Sequence, residues 1–157
     1  MLKARKISNE CQFCPALRGS FQAQIIVETP RSIAIHPRRP LSLGHTIIFP
    51  KVHRKGILDL SDREVATLFR LIKKIAQSLT RVYRTESYNL FANIGKEAGQ
   101  SIPHLHFHIV PRFGDESVNP FKILNNRKLY KALEAVTPQQ MAINIKKISR
   151  DFKSNKR

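Results

Sequence analysis

The chain of 157 residues contains only two cysteines, six glycines and eleven acidic side chains. Two cysteines in "CQFC" rule out a disulfide framework and fit a reducing compartment. No run of about 18 apolar residues occurs, which excludes a membrane-spanning helix. The opening "MLKARKISNE" is basic but has no apolar core like that of a secretory signal, so a cytoplasmic location is expected. Glycine and proline are too few for a collagenous or low-complexity chain, and the 41% apolar fraction is that of a globular protein. The length suits a single domain, 1–157, large enough to bury a core without staples.

The shortage of acid is the unusual feature. Eleven acids face 28 bases, giving a net charge of +17 and a pI near 10.6. Beyond Glu116, the bases Lys122, Arg127, Lys128, Lys131, Lys146, Lys147, Arg150, Lys153, Lys156 and Arg157 face only Glu134 and Asp151. Such a field attracts phosphate-bearing partners. Two readings stay open: a solvated basic surface, or a nucleic-acid contact through it.

Hydrophobic periodicity predicts α+β architecture. Gln22 to Glu28, Ser32 to His36 and Thr46 to Phe49 are short β-branched runs separated by turn residues, as in an antiparallel meander. Ser61 followed by Glu64 forms a capping box, and Val65, Leu68, Phe69, Ile72, Ile75, Ala76 and Leu79 recur at three and four. A long amphipathic helix to about Tyr83 follows from that spacing. Ser87 to Ile94 and His104 to Val110 read as two further strands, and Thr137 with Pro138 opens a last helix. The motif-bearing part spans 11–112, with a basic, helical extension over 113–157.

Three of the six histidines fall in "HLHFHIV" at alternate positions. In a strand, His104, His106 and His108 share one face while Leu105, Phe107 and Ile109 point into the core. At about 3.3 Å rise per residue, neighbouring imidazoles stand roughly 6.6 Å apart, about wide enough for a phosphate group. Three buried imidazoles need three sets of hydrogen-bond partners, so a task is implied: metal binding, catalysis, or both. Asn93, Gln100 and Ser101 bring amide and hydroxyl donors close in sequence to that strand, and Gly95 and Gly99 permit close backbone approach. Donors of this kind suit charge developing on phosphoryl oxygens.

With those residues in place, the chain resembles the histidine-triad (HIT) nucleotide hydrolases and transferases, whose signature alternates three histidines with apolar residues. The resemblance covers "NLFANIGKEAGQSIPHLHFHIVPR" and "LGHTIIFPKVH", and so implies a HIT-like α+β fold. It implies that His106 is the nucleophile at the α-phosphorus of a nucleotide, forming a nucleotidyl-imidazole that water cleaves. By the same resemblance His108 contacts a phosphate or leaving-group oxygen, His45 supports the nucleophile's surroundings, and Asn93, Gln100 and Ser101 form the phosphate loop. Cys11, Cys14, His53 and His104 match the zinc set of a subset of the family, a Cys2His2 structural site. Homodimerisation is also implied.

One position departs from the pattern. Where relatives place an Asp or Asn for the ribose hydroxyls, this chain has Pro37. Nucleoside recognition then uses His36 or a backbone group, or is looser, with Arg38 and Arg39 available to phosphates. The expected function is cleavage of a phosphoanhydride or phosphoramidate bond at the α-phosphate of a nucleotide or dinucleoside polyphosphate. The competing readings are a basic nucleotide or nucleic-acid binding module with little turnover, and removal of adenylate from nucleic-acid ends.

Overall fold

A computed structural model describes residues 11–14, 24–114, 119–124 and 126–155. Five strands form one antiparallel sheet: β1 (Ile25–Glu28), β2 (Ser32–Ile35), β3 (Thr46–Pro50), β4 (Tyr88–Phe91) and β5 (Phe107–Pro111), in the order β1-β2-β3-β5-β4. The first three make the expected meander. The chain then crosses the sheet through helix α1 (Asp62–Tyr83), runs up the edge as β4 and returns as β5 between β3 and β4. Helices α2 (Pro120–Leu124), α3 (Arg127–Ala132) and α4 (Pro138–Ser154) complete the fold. Residues 22 and 23 of the predicted first strand lie outside the described residues.

Helix α1 begins where the capping box places it. Ser61 Oγ accepts from Glu64 N at 3.3 Å, and Glu64 Oε2 accepts from Ser61 N at 2.9 Å. Such a cap contributes about 1 kcal/mol. The face carrying Leu68, Leu71, Ile72, Ile75 and Leu79 is buried against Ala34, Ile48, Phe107 and Ile109 of the sheet. Ile148 of α4 is buried in the same cluster, and Arg81 of α1 pairs bidentately with Asp151 of α4. The basic extension is therefore packed onto the core through α4.

Alternation along the strands builds a second layer on the other side. Ile33, Ile35, Ile47 and Phe49 face Cys11, Phe13 and Cys14 there. Strand register sets one transverse row on this face: Ile25, Ile35, Ile47, His108 and Phe91 are successive partners from β1 to β4. This row carries the third histidine of the triad to the middle of a buried surface.

The ladder starts later than the histidine spacing predicts. Strand β5 begins at Phe107, so only His108 of the three histidines is in a paired strand. The residues before it are held by other partners: Leu105 N donates to Arg54 O at 2.6 Å and His104 N to Ile102 O at 2.7 Å. Those bonds take the backbone of His104 and Leu105 out of the ladder and turn the first imidazole toward the cysteines.

Candidate active site

His45, His106 and His108 form one buried cluster. The rings of His106 and His108 lie 5.0 Å apart between centroids, and those of His45 and His108 5.2 Å apart. Gly44, just before His45, has φ +83°, and a Cβ built there would lie 2.5 Å from Tyr83 Cε2. A side chain at position 44 would both clash with α1 and strain the turn that presents His45.

Hydrogen bonds fix the tautomers. His106 Nδ1 lies 2.7 Å from the His104 carbonyl, which can only accept, so Nδ1 carries the proton and Nε2 keeps a lone pair. Leu41 N donates to His45 Nδ1 at 3.1 Å, which puts the His45 proton on Nε2. That proton points at His108 Nδ1, 3.0 Å away, so the His108 proton is on Nε2. One ring therefore offers a nucleophilic nitrogen and its neighbour an N–H donor.

Burial favours the neutral rings throughout. Desolvation pulls His45 down to about 3, with the charges of His36 and His106 adding to it. It also lowers His106, against the opposing backbone hydrogen bond, and places His108 well below its ordinary value. At neutral pH the His106 lone pair is free of a proton. Phe13 packs edge-on to His106 at 5.2 Å, and Phe91 stacks on His108 at 5.0 Å and 13°.

The cysteines meet the first triad histidine. Cys11 Sγ lies 3.3 Å from His104 Nδ1 and Cys14 Sγ 3.3 Å from His53 Nδ1. The four ligand atoms all fall within 4.8 Å of one another, and the thiols are not joined as a disulfide. His104 Nε2 sits 2.8 Å from the Pro50 carbonyl, so it carries the proton and turns the Nδ1 lone pair toward the sulfurs. Two thiols and two imidazoles converging this closely fit a tetrahedral soft-metal site.

The remaining sequence candidates are placed differently. Gln100 ties its own loop: its Oε1 accepts from Gly95 N at 2.8 Å and its Nε2 donates to Lys55 O at 2.9 Å. Ser101 is exposed and Asn93 half-buried on the same loop. His36 is buried, with Nδ1 donating to the Pro37 carbonyl at 2.8 Å and Nε2 lying 3.3 Å from Asn144 Nδ2 of α4. Both its ring nitrogens thus have protein partners. Arg39 Nε donates to Leu133 O at 3.1 Å, and Val136 N donates to Arg38 O at 3.0 Å. The sequence reading missed Phe13, Phe91 and Asn144, which touch His106, His108 and His36. Phe13 is inside the CxxC and could have been suspected, whereas Asn144 meets His36 across 108 residues with no local signal.

A family model described as the HIT domain matches residues 18–115. A HIT-like protein of Methanocaldococcus jannaschii is 32% identical over 127 residues, covering 80% of this chain and 98% of that one. The adenosine 5'-monophosphoramidase of Schizosaccharomyces pombe is 35% identical over 106 residues, 68% of this chain and 76% of its own. The crystal structure of a histidine triad nucleotide-binding protein from Sulfolobus tokodaii superposes with a TM-score of 0.78 at 25% identity, covering 94% of this chain and 95% of that one. With its triad, its sheet and its relatives in agreement, this chain belongs to the HIT family.

Proposed function

We propose that the protein is a nucleotide hydrolase or transferase that cleaves a phosphoanhydride or phosphoramidate bond at the α-phosphate. The observation that carries the reading is the pairing of an unprotonated His106 Nε2 with the N–H donor of His108 Nε2. The His106 lone pair attacks phosphorus, the P–O or P–N bond to the leaving group breaks, and His108 donates a hydrogen bond to an oxygen in the transition state. The leaving group takes a proton from solvent as it departs; water then attacks the nucleotidyl-histidine, the P–N bond to His106 breaks with its electron pair returning to Nε2, and the proton lost by the water goes back to solvent as the nucleoside monophosphate is released. The similarity to a monophosphoramidase supports the same class of reaction.

Zinc belongs to the same proposal. Cys11, Cys14, His53 and His104 would hold it, and bound there it would fix the residues before β5, including the His104 carbonyl that orients His106. Asn93, Gln100 and Ser101 remain the proposed phosphate loop. A homodimer is proposed through the outer edge of β4, which among the described residues pairs only with β5 and where Tyr88 and Leu90 are 43% and 41% exposed beside a groove of about 350 Å³ shared with Phe69 and Ala76 of α1. Leu90→Lys should then yield a monomer by light scattering.

A panel of adenosine 5'-phosphoramidate, diadenosine triphosphate and 5'-adenylated DNA tests the reaction. Turnover of at least one, lost in His106→Ala, supports the reading. Nucleotide binding without turnover of any would favour the binding module that Pro37 suggests.

A further inference from the structure

Basic side chains are not spread evenly around α1. Arg63, Thr67, Arg70, Lys74, Gln77 and Arg81 follow one another at alternating steps of four and three, which lines them up along one side of the helix. At 1.5 Å per residue the stripe runs for about 27 Å, most of one turn of a nucleic-acid duplex. All four of its bases are exposed, and it holds no acid. Asp62 and Glu64, the acids at the start of α1, stand off the stripe, and Glu64 is engaged by Arg54.

Toward its C-terminal end the stripe borders a cleft. A cavity of about 420 Å³ opens there, lined by Lys74, Ser78 and Arg81 of α1 and by Ser154 and Asn155 at the end of α4. Ammonium, guanidinium, hydroxyl and amide groups are donors suited to phosphate oxygens. Asp151, beside the cavity on α4, has both carboxylate oxygens engaged by Arg81 at 2.7 to 3.2 Å. Asn155 Nδ2 donates to the Asp151 carbonyl at 3.0 Å and so covers part of the carbonyl end of α4, whose dipole opposes an anion. Cations therefore set the sign of the potential in the cleft.

This face lacks what the binding of single strands uses. No stripe position carries an aromatic ring for a base to stack on, and Phe152 of α4 is packed against the core cluster. A row of cations without stacking platforms reads backbone charge and not bases. The face also lies across the sheet from the histidine row, because α1 buries its apolar side against Ala34 and Ile48.

We propose that the α1–α4 face binds the phosphate backbone of duplex nucleic acid without regard to sequence, with one phosphate seated between Lys74 and Arg81 in the cleft. The surface is separate from the histidine cluster and does not depend on the reaction proposed above. It would hold the protein on a polyanion whether or not that cluster turns over a nucleotide.

Fluorescence anisotropy of the full chain with short labelled duplexes of two unrelated sequences, in DNA and in RNA, reads the surface directly. All should bind with similar affinity at about 50 mM salt, and log affinity should fall linearly with log salt. Arg70→Gln combined with Lys74→Gln removes two exposed cations from the stripe. That variant should flatten the slope by roughly 1.8, at about 0.9 per lost phosphate contact. Lys122→Gln combined with Lys128→Gln lowers the net charge equally on the other side of the sheet, where Phe121 of α2 rests on Phe91, and should leave the slope unchanged. Absence of binding at about 50 mM salt, equal losses in the two double variants, a strong preference for one sequence, or tighter binding of a single strand of equal length would each overturn the proposal.

Discussion

The chemistry of the cluster comes down to where three protons sit. The chain Leu41 N–H to His45 to His108 fixes the N–H of the proposed donor, and the His104 carbonyl fixes the lone pair of the proposed nucleophile, His106. His108→Ala should lower kcat by about 10² to 10³, the cost of one lost transition-state donor. His45→Ala should cost less, about ten- to a hundredfold, because His108 keeps its place but loses the partner that selects its tautomer. Steady-state rates on one turned-over substrate check both, and a His45→Ala loss larger than that of His108→Ala would contradict the order. The buried rings also make stability depend on pH. The folded-state pKa of His45 is lowered to about 3 and those of His108 and His36 are lowered by burial, so the unfolded chain binds more protons below about 6.5. Stability is thus full above that pH and is lost as pH falls below it, down to about 3 for His45, by up to about 1.4 kcal/mol per pH unit for a ring between its unfolded and folded pKa. Urea midpoints that stay level from pH 7 to pH 4 would contradict this.

Among the elements, the sequence made some visible and hid others. The α1 periodicity and its Ser61 cap, the β-branched strands and the Pro138 helix start are local signals, and the structure follows them closely. The start of β5 was misplaced because the competing partners of His104 and Leu105, Ile102 O and Arg54 O, include a contact 51 residues away that no local pattern encodes. The closure of α4 over His36 was hidden for the same reason. Position 104 is the clearest case of an element serving two sites: its imidazole turns to the cysteines and its carbonyl to His106. Elemental analysis should find about one zinc per chain, and chelation should lower the melting temperature together with activity. Gently purified protein with no bound metal would remove the zinc from the account, as would chelation that leaves the melting temperature unchanged.

At the scale of the whole molecule the charge dominates. The exposed face of α1 carries Arg63, Arg70, Lys73, Lys74 and Arg81, and that of α4 carries Lys146, Lys147, Arg150 and Lys153. Since α1 and α4 are joined by the Arg81–Asp151 pair, these bases belong to one helical layer on the face of the sheet opposite the histidine row. A nucleic-acid partner bound to it through three phosphates would lose roughly 40-fold in affinity between 50 and 200 mM salt. DNA and RNA binding undetectable even at 50 mM salt would return the surface to plain solvation. The central claim, however, concerns one nitrogen. A quenched single-turnover reaction with substrate radiolabelled at the α-phosphate reads it directly. The label should be trapped on the wild-type protein in an acid-labile, base-stable bond, and His106→Ala should carry none while retaining its fold. A His106→Ala variant that is still labelled, or that turns over at a near-normal rate, would contradict the account.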